Sequence, residues 1–304
     1  MARQRKRGRA VDGILLLDKP EGITSNAALQ RVKNLFYAAK AGHTGSLDPI
    51  ATGMLPVCFG EATKFSQYLL DSDKRYIVKG KLGEKTETAD REGEVIQTRD
   101  VAISEPQLAA SLTSFRGTIS QVPSMYSALK HKGEPLYKLA RKGITVERQA
   151  REVRIHALEL RSFDGTFFEL DVACSKGTYI RNLVEDIGDL LECGAHVVEL
   201  RRLDVGPYLA EQMITLEQLE AVAGEDKYSL DRLLLPVETS VAHWPTVELS
   251  DNAAYYLKMG QAVQVPGAPL SGWVTLKENG DQFIGLGEID DDGRVAPRRL
   301  IRMD

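Results

Sequence analysis

One loop of this chain holds a single carboxylate among residues that restrict the backbone. Asp48 follows Leu47 in the run HTGSLDP (43–49), which continues to Pro56. A lone Asp among Gly, Ser and Pro usually stabilises a turn. However, two glycines and two prolines between 43 and 56 indicate a loop of fixed shape, and such loops often carry function. An ionised carboxylate fixed in this way can act as a nucleophile or take a proton.

Two further positions carry side chains that suit a binding site. Tyr179 and Arg181 lie two apart where a strand gives way to a helix, so they cannot share one helical stripe. One of them can face a site while the other braces it, although a capped helix with a surface arginine is an equally simple interpretation. Tyr76 opens a strand, where an aromatic residue more often belongs to the core.

The elements that must position these residues alternate between strands and helices. Apolar spacing predicts helices at 25–40, 61–71, 104–114, 134–142 and 178–191. Apolar or alternating runs predict strands at 13–18, 54–59, 75–83, 94–98, 152–162, 167–175 and 195–204. We therefore expect an α/β (α+β) domain with a mixed, largely antiparallel sheet, flanking helices and a cleft across its middle.

The composition changes near residues 235–245, which suggests a second domain. Beyond Pro245 the pattern predicts one helix at 250–258 and closely spaced strands at 261–265, 272–277, 282–289 and 294–302. Such short strands favour a small β-barrel. We divide the chain into a main domain, 1–240, and a C-terminal domain, 245–304.

Charge is unevenly distributed along the chain. The net charge of −4 argues mildly against a nucleic-acid partner, but residues 3–9 form a basic tail and residues 130–154 a basic central stretch. A polyanion responds to the local field rather than to the net charge. The same stretches could also be ordinary solvated faces, so charge alone does not show whether the protein binds nucleic acid.

Cysteine and histidine positions give no metal-site spacing. Cys58, Cys174 and Cys193 are odd in number and form no CxxC pair, so we expect free thiols in a reducing compartment. The five histidines lie singly, and we expect no metal. No apolar run approaches the roughly 20 residues that cross a bilayer, and no signal peptide is evident. The sequence therefore predicts a cytoplasmic protein that does not contact the membrane.

Several long blocks resemble the TruB-type tRNA pseudouridine-55 synthases, and together they span nearly the whole chain. They are GILLLDKPEGITS (13–25), AGHTGSLDPIATGMLPVCFGEATKF (41–65), KRYIVKGKLGEKTETADREG (74–93), VPSMYSALKHKGEPLYKLARKG (122–143) and SKGTYIRNLVEDIG (175–188). The resemblance implies the pseudouridine-synthase fold, with a C-terminal RNA-binding domain related to PUA domains from about residue 250.

The resemblance also implies a role for particular residues. Asp48 matches the catalytic aspartate, Arg181 the arginine that pairs with it, and Tyr76 the tyrosine against the target base. His43 matches the histidine that takes the vacated stacking place in the T loop. Further candidates for substrate binding are Tyr179, Leu200, Lys19, Lys64 and Asp90.

The implied reaction isomerises uridine 55 of the tRNA T loop after the base is flipped from its stack. It needs no cofactor, and we expect a monomer without an obligatory protein partner. Asp48 could attack C1′, add to C6 or take a proton from C2′, and Tyr76 could relay the C5 proton; the sequence leaves these alternatives open. A guide-RNA-directed synthase and a non-catalytic RNA-binding protein are the rival hypotheses. Folding of tRNA is a secondary hypothesis, because binding would open and reform the tRNA elbow.

Overall fold

A large mixed sheet positions the cleft, and a smaller sheet follows it in the chain. In this computed structural model the described residues are 8–127, 129–224 and 228–302, so most of the predicted basic tail lies outside them. The strands are β1 (Gly13–Lys19), β2 (Ala41–His43), β3 (Ala51–Phe59), β4 (Lys74–Leu82), β5 (Glu84–Thr86), β6 (Val95–Thr98), β7 (Gly117–Gln121), β8 (Lys130–His131), β9 (Glu134–Pro135), β10 (Arg151–Phe163), β11 (Phe167–Cys174), β12 (Ala195–Val205), β13 (Ile214–Thr215), β14 (Thr246–Leu249), β15 (Gly272–Glu278), β16 (Gln282–Ile289) and β17 (Val295–Leu300). The helices are α1 (Ser25–Leu35), α2 (Ser66–Leu70), α3 (Glu105–Ser111), α4 (Leu136–Ala140), α5 (Ile180–Leu190), α6 (Leu216–Ala223) and α7 (Asp251–Lys258).

Strand pairing in the main sheet is mostly antiparallel. Its order among the described residues is β13-β1-β3-β12-β4-β11-β10-β7, with β2 added beside β3. Only the β1–β13 and β3–β12 pairs are parallel. The predicted mixed, largely antiparallel sheet is confirmed, and β12 lies near its centre between β3 and β4.

The apolar patterns of the central strands explain their places in the sheet. β1 and β3 are buried along most of their length, as expected for strands covered on both faces. β4 instead alternates, with Tyr76 and Val78 on its buried face. Beside the sheet, α5 buries Ile180, Leu183 and Ile187. Strand alternation therefore fixes the direction in which Tyr76 points.

All five helices predicted in the main domain are shorter in the structure than their apolar spacing suggested, and two of them illustrate the reason. Thr24 caps α1 by accepting a hydrogen bond from the Ala27 N–H, but the helix ends at Leu35 because Tyr37 has a φ of 48°. The predicted helix 61–71 is divided into a 3-10 turn over Gly60–Lys64 and α2. Its predicted inward residues Ala62, Phe65 and Leu69 are all buried.

A second, smaller sheet at the C-terminus has a core of its own. Its strand order is β14-β15-β16-β17, and Val247, Leu257, Val274 and Val295 belong to its buried cluster. The predicted strand 261–265 is reduced to a single bridge between Val263 and Val295, whereas β14 was not predicted. The small C-terminal β domain agrees with the predicted fold class.

No helix within the described parts of the chain combines the length and the apolar character that crossing a membrane requires. The three cysteines are free and buried.

Candidate active site

The loop that carries Asp48 connects β2 to β3 and is fixed from the side of α1. The Leu47 N–H donates to Ser25 Oγ at 2.7 Å, and Ser25 Oγ donates to the Leu47 carbonyl at 3.0 Å. The Gly22 N–H donates to the Pro49 carbonyl at 2.9 Å. These contacts hold both neighbours of Asp48, so the backbone of the loop has little freedom.

Lys19 lies beneath this loop and is completely buried. Its Nζ donates to the carbonyls of Pro20 at 2.8 Å, Ile23 at 2.9 Å and Pro49 at 3.4 Å. Burial lowers the pKa of Lys19 to about 8, and the nearby charge of Asp48 opposes that shift. Lys19 thus braces the loop through these carbonyls, and its predicted contact with substrate stays a prediction.

Arg202, which was not among the predicted site residues, fixes the loop from the opposite side. Only 1% of its surface is exposed, while Nε donates to the Met54 carbonyl at 2.7 Å and Nη2 to the Gly45 carbonyl at 3.0 Å. In the β12–β4 ladder Arg202 is directly opposite Tyr76. The signal was the Arg201-Arg202 pair within a strand, where alternation turns one of two neighbours inward.

Arg181 joins the loop that carries Asp48 to two other segments. Its Nε lies 2.9 Å from Asp48 Oδ2, and its Nη1 lies 3.2 Å from Asp90 Oδ2. Nη1 also donates to the Thr88 carbonyl at 2.8 Å, and Nη2 donates to the Tyr126 carbonyl at 2.9 Å. The predicted pairing of Arg181 with Asp48 is therefore present in the geometry, and the guanidinium is fixed on every side.

Asp90 is a partner of Arg181 rather than an open substrate ligand. It is 3% exposed, and its Oδ1 accepts hydrogen bonds from Thr88 Oγ1 at 2.6 Å and from the Glu92 N–H at 3.1 Å. With Oδ2 turned to Arg181, the carboxylate has its hydrogen-bonding capacity largely used within the protein. Asp90 also lines the cavity that contains His43, so its predicted role in substrate binding stays a prediction beside this role in positioning the arginine.

Opposing electrostatic effects act on Asp48. Burial raises the pKa of Asp48 above its ordinary value, the charges of Arg181 and Lys19 lower it, and Asp90 raises it. The burial effect is the largest, so the direction of the net shift is upward. An adjacent guanidinium that donates directly to the carboxylate favours its ionised form.

A cavity of ≈ 320 Å³ opens above Asp48. Tyr76 and Leu200 are 9% and 8% exposed, and they line it from the central strands β4 and β12. Tyr179, the N-cap residue of α5, lines another side. Burial raises the pKa of both the Tyr76 and the Tyr179 phenols, so each is neutral near pH 7. The carboxylate of Asp48 thus faces a small space with aromatic and aliphatic walls.

His43 lies in an adjoining cavity of ≈ 430 Å³ that shares Asp48 and Arg181 with the first. Its Nδ1 is buried and has no hydrogen-bond partner among the residues that the structure describes. Burial, followed by the charge of Arg202, lowers the pKa of His43, which favours the neutral ring. Arg141 from the basic central stretch lines the same cavity.

Lys64 lines neither of these two cavities. Its Nζ donates to the Leu300 carbonyl at 2.9 Å and forms an ion pair with Glu61, so it connects the main domain to β17. Within the described ranges of the chain, no group of three or more His, Cys, Asp and Glu side chains could hold a metal ion.

Comparison with known families gives matches along most of the chain. The model of the TruB family pseudouridylate synthase N-terminal domain matches residues 33–180. The tRNA pseudouridylate synthase B C-terminal domain matches residues 181–242, and the C-terminal domain of pseudouridine synthase II TruB matches residues 245–301.

Curated relatives are similar over nearly their full length. The tRNA pseudouridine synthase B of Coxiella burnetii (strain RSA 493 / Nine Mile phase I) is 59% identical over 296 residues, which cover 97% of this chain and 96% of the relative. The protein of the same name from Pseudomonas putida (strain GB-1) is 57% identical over 305 residues, which cover 100% of both chains.

Solved structures show the same fold. A chain of a Cbf5-Nop10-Gar1 complex superposes with a TM-score of 0.74 at 27% identity, covering 95% of this chain and 84% of that one. A chain of an H/ACA RNP bound to a substrate RNA containing 2′-deoxyuridine also has a TM-score of 0.74, at 24% identity, covering 99% of this chain and 92% of that one.

Proposed function

The chain belongs to the TruB family of pseudouridylate synthases, and from that membership we propose that it isomerises uridine 55 in the T loop of tRNA to pseudouridine. The observation that carries this proposal is the ion pair of Asp48 with the buried Arg181 at the base of a small cavity. That geometry supplies an oriented carboxylate where a flipped base could enter.

The cavity suits a pyrimidine nucleoside in size and in the character of its walls. Its volume of ≈ 320 Å³ is at the lower end of the range for small-molecule sites. Tyr76 offers an aromatic ring, and Leu200 offers an aliphatic contact beside it. Flipping a base from its stack costs a few kcal/mol, and stacking on an aromatic side chain returns about 1–3 kcal/mol.

The reaction conserves every atom of the substrate. The C1′–N1 bond of uridine breaks, a C1′–C5 bond forms, C5 loses its proton and N1 gains one. Because nothing is oxidised and no group is lost, the carboxylate of Asp48 can initiate the rearrangement without a redox cofactor. Attack at C1′, addition at C6 and removal of the C2′ proton all begin from this ionised carboxylate.

Asp48 is oriented by contacts on both sides of its loop. Arg181 favours the charged form of the carboxylate against the effect of burial, while Lys19 and Arg202 hold the backbone of its loop. Tyr76 is placed against the base as a neutral phenol, and it is the candidate to pass on the C5 proton. Such fixed groups lower the cost of reorganisation during the reaction.

Recognition of the RNA rests on the shape of the T loop and on phosphate contacts. A neutral His43 suits the stacking place that the flipped base leaves, because an aromatic ring can replace a base in a stack. Exposed cations of the basic central stretch, such as Lys130, Lys132, Arg141 and Arg154, supply positive charge.

The relatives favour a tRNA substrate over the guide-RNA-directed alternative. Proteins named tRNA pseudouridine synthase B are 57–59% identical over nearly the full length of both chains. The chain from the Cbf5-Nop10-Gar1 complex is 27% identical. We therefore propose an enzyme that acts alone as a monomer in the cytoplasm and uses residues 245–304 to bind RNA.

The test uses unmodified tRNA transcripts that carry tritium at C5 of uridine. Wild-type protein should release tritium from the normal transcript and not from one in which uridine 55 is replaced by cytidine. Asp48→Asn should bind the normal transcript but release nothing. Tight binding without release by the wild type would contradict the proposed activity, and release from the cytidine-55 transcript would contradict the position.

The folding hypothesis is tested with the same variant. An activity that depends on binding alone should persist in Asp48→Asn, measured as the rate at which a misfolded tRNA regains its native form. If this variant binds tRNA and does not speed refolding, the secondary activity is rejected.

A further inference from the structure

Ser127 has a hydroxyl that is enclosed by the protein and yet not used by it. The residue is 3% exposed, and its Oγ has no hydrogen-bond partner within the described parts of the chain. Most buried polar atoms do have a partner, so an exception needs a reason. One such reason is that the hydroxyl binds a ligand, and the residues around Ser127 can support or exclude that explanation.

The surroundings of Ser127 point to a ligand. It lines the cavity that contains Asp48 and Tyr76, and it also lines the adjoining cavity that contains His43 and Arg141. Its side chain is therefore at the junction between the proposed pocket for the base and the proposed path of the RNA. A group at that junction would meet the sugar and phosphate that connect the flipped base to the loop.

The backbone around Ser127 is fixed independently of its side chain. Its carbonyl accepts a hydrogen bond from the Tyr137 N–H at 3.1 Å, and the carbonyl of the preceding Tyr126 binds Arg181. Since these contacts hold the main chain in place, the hydroxyl is not needed to keep the segment in position. Its removal should leave the cavity walls where they are.

Tyr179 is the polar neighbour of this hydroxyl. The contact with Ser127 opposes the effect of burial on the pKa of the Tyr179 phenol, yet no hydrogen bond of normal length and angle joins the two side chains. Both residues line the cavity above Asp48. The two hydroxyls can thus receive an oxygen atom of a bound nucleotide between them.

We propose that Ser127 Oγ donates a hydrogen bond to a sugar or phosphate oxygen of the flipped nucleotide. This inference rests on the proposed function, because it assigns the contact to the substrate of that reaction. Ser127 would then orient the C1′ atom toward Asp48 without taking part in the bond changes. A buried hydroxyl without a partner destabilises the free protein, and the substrate would satisfy it.

In Ser127→Ala, the stability of the free protein and the reaction rate on RNA should respond differently. Ser127→Ala removes an unsatisfied buried group, so the thermal midpoint of the free protein should stay equal or rise. The same change removes a hydrogen bond to substrate, so the single-turnover rate at subsaturating T-arm RNA should fall about tenfold. A serine with a structural role would lower the midpoint instead.

Ser240→Ala is the matched control. Ser240 is 1% exposed, and its Oγ donates to the Val237 carbonyl at 2.7 Å, away from either cavity. This variant should lower the midpoint and leave the Kd and single-turnover rate for the RNA within twofold of wild type. The comparison separates loss of any buried hydroxyl from loss of the one at the cleft.

Modified RNAs identify which oxygen accepts the bond. A 2′-deoxy substitution at the target nucleotide and a methylphosphonate beside it are each tested with the wild type and with Ser127→Ala. The substitution that removes the acceptor should reduce the wild-type rate and have little additional effect on the variant.

Two results would overturn the proposal. One is a lower midpoint in Ser127→Ala, comparable with that of Ser240→Ala; the other is a Kd and rate within twofold of wild type. Failure of the proposed function would be seen separately, as a wild type that binds the RNA without releasing tritium. The Kd ratio of Ser127→Ala to wild type would still decide the contact in that case.

Discussion

Arg181 Nε lies 2.9 Å from Asp48 Oδ2, and the two side chains differ in exposure, 7% for the arginine and 41% for the aspartate. The guanidinium of Arg181 is thus buried in the protein, while the carboxylate of Asp48 faces the cleft. A fixed guanidinium can orient the carboxylate and favour its charge at the same time.

The pair should set the acid side of the pH profile. The proposed reaction needs an ionised Asp48, so activity should fall as pH decreases through its pKa, which desolvation at the base of the cleft raises above the ordinary 3.8 although the side chain remains partly exposed. Arg181→Met removes the main opposing charge and should move this acid limb to higher pH, whereas Arg181→Lys should move it less. Single-turnover rates measured over a series of pH values give the pH at which activity is half-maximal. If this pH is unchanged or lower in Arg181→Met, Arg181 does not lower the pKa of Asp48.

Replacing Asp90 by Asn should affect both stability and rate. The amide keeps an oxygen for Thr88 and Glu92, but it leaves Arg181 with one charged partner instead of two. Breaking a buried ion pair costs about 3 kcal/mol, and we expect this loss in urea unfolding together with at least a tenfold slower reaction. Glu94→Gln, an exposed carboxylate of the same segment, should change neither, and wild-type behaviour of Asp90→Asn would reject the positioning role.

Replacing Arg202 should reduce stability and activity much more than replacing its neighbour Arg201. Arg202→Met leaves the Met54 and Gly45 carbonyls without their donors, so we expect a loss of about 2–4 kcal/mol in unfolding free energy and a large loss of activity. Arg201 is 40% exposed and pairs with Asp18 near the surface, so Arg201→Met should cost at most about 1 kcal/mol. Equal effects of the two changes would show that burial of Arg202 does not matter.

Lys64 should influence the C-terminal contact and not the chemistry. In Lys64→Met the hydrogen bond to the Leu300 carbonyl is lost, which should cost about 1 kcal/mol because the group is partly exposed. The single-turnover rate at saturating RNA should stay within twofold of wild type. A fall of tenfold or more in that rate would mean that Lys64 reaches the substrate after all.

Gly53 should tolerate no side chain. Its φ is +97°, and a Cβ would lie 2.1 Å from the Arg202 carbonyl oxygen in the paired strand. Gly53→Ala should therefore separate β3 from β12 and lower the unfolding free energy by about 3 kcal/mol or more. At Gly42 no atom lies within 4 Å of an added Cβ, so Gly42→Ala is the control and should remain near wild type. Denaturant unfolding of the two variants makes the comparison.

Most strands and the main features of the cleft could be predicted from the sequence, because they depend on local pattern and on a specific motif. Alternation in β4 placed Tyr76 on the buried face, and the loop around Asp48 carried its own signature. The roles of Arg202 and Lys19 were not predicted, because a buried charge contradicts the apolar pattern of a strand. The carbonyls that bind Arg202 are also distant in sequence, whereas two of the three that bind Lys19 lie within four residues of it. The parallel strand β14 was missed for a similar reason, since its partner β15 follows a helix and a long connection.

The insertion of β12 between β3 and β4 has a consequence for how the chain reaches its native state. The two earlier strands cannot pair with their final neighbour until the ribosome has released residues up to Val205. Until then both keep unpaired edges, which invite incorrect association with each other or with another chain. Folding of the main domain should therefore be slow and largely post-translational up to this step, in keeping with its dependence on contacts between distant parts of the chain.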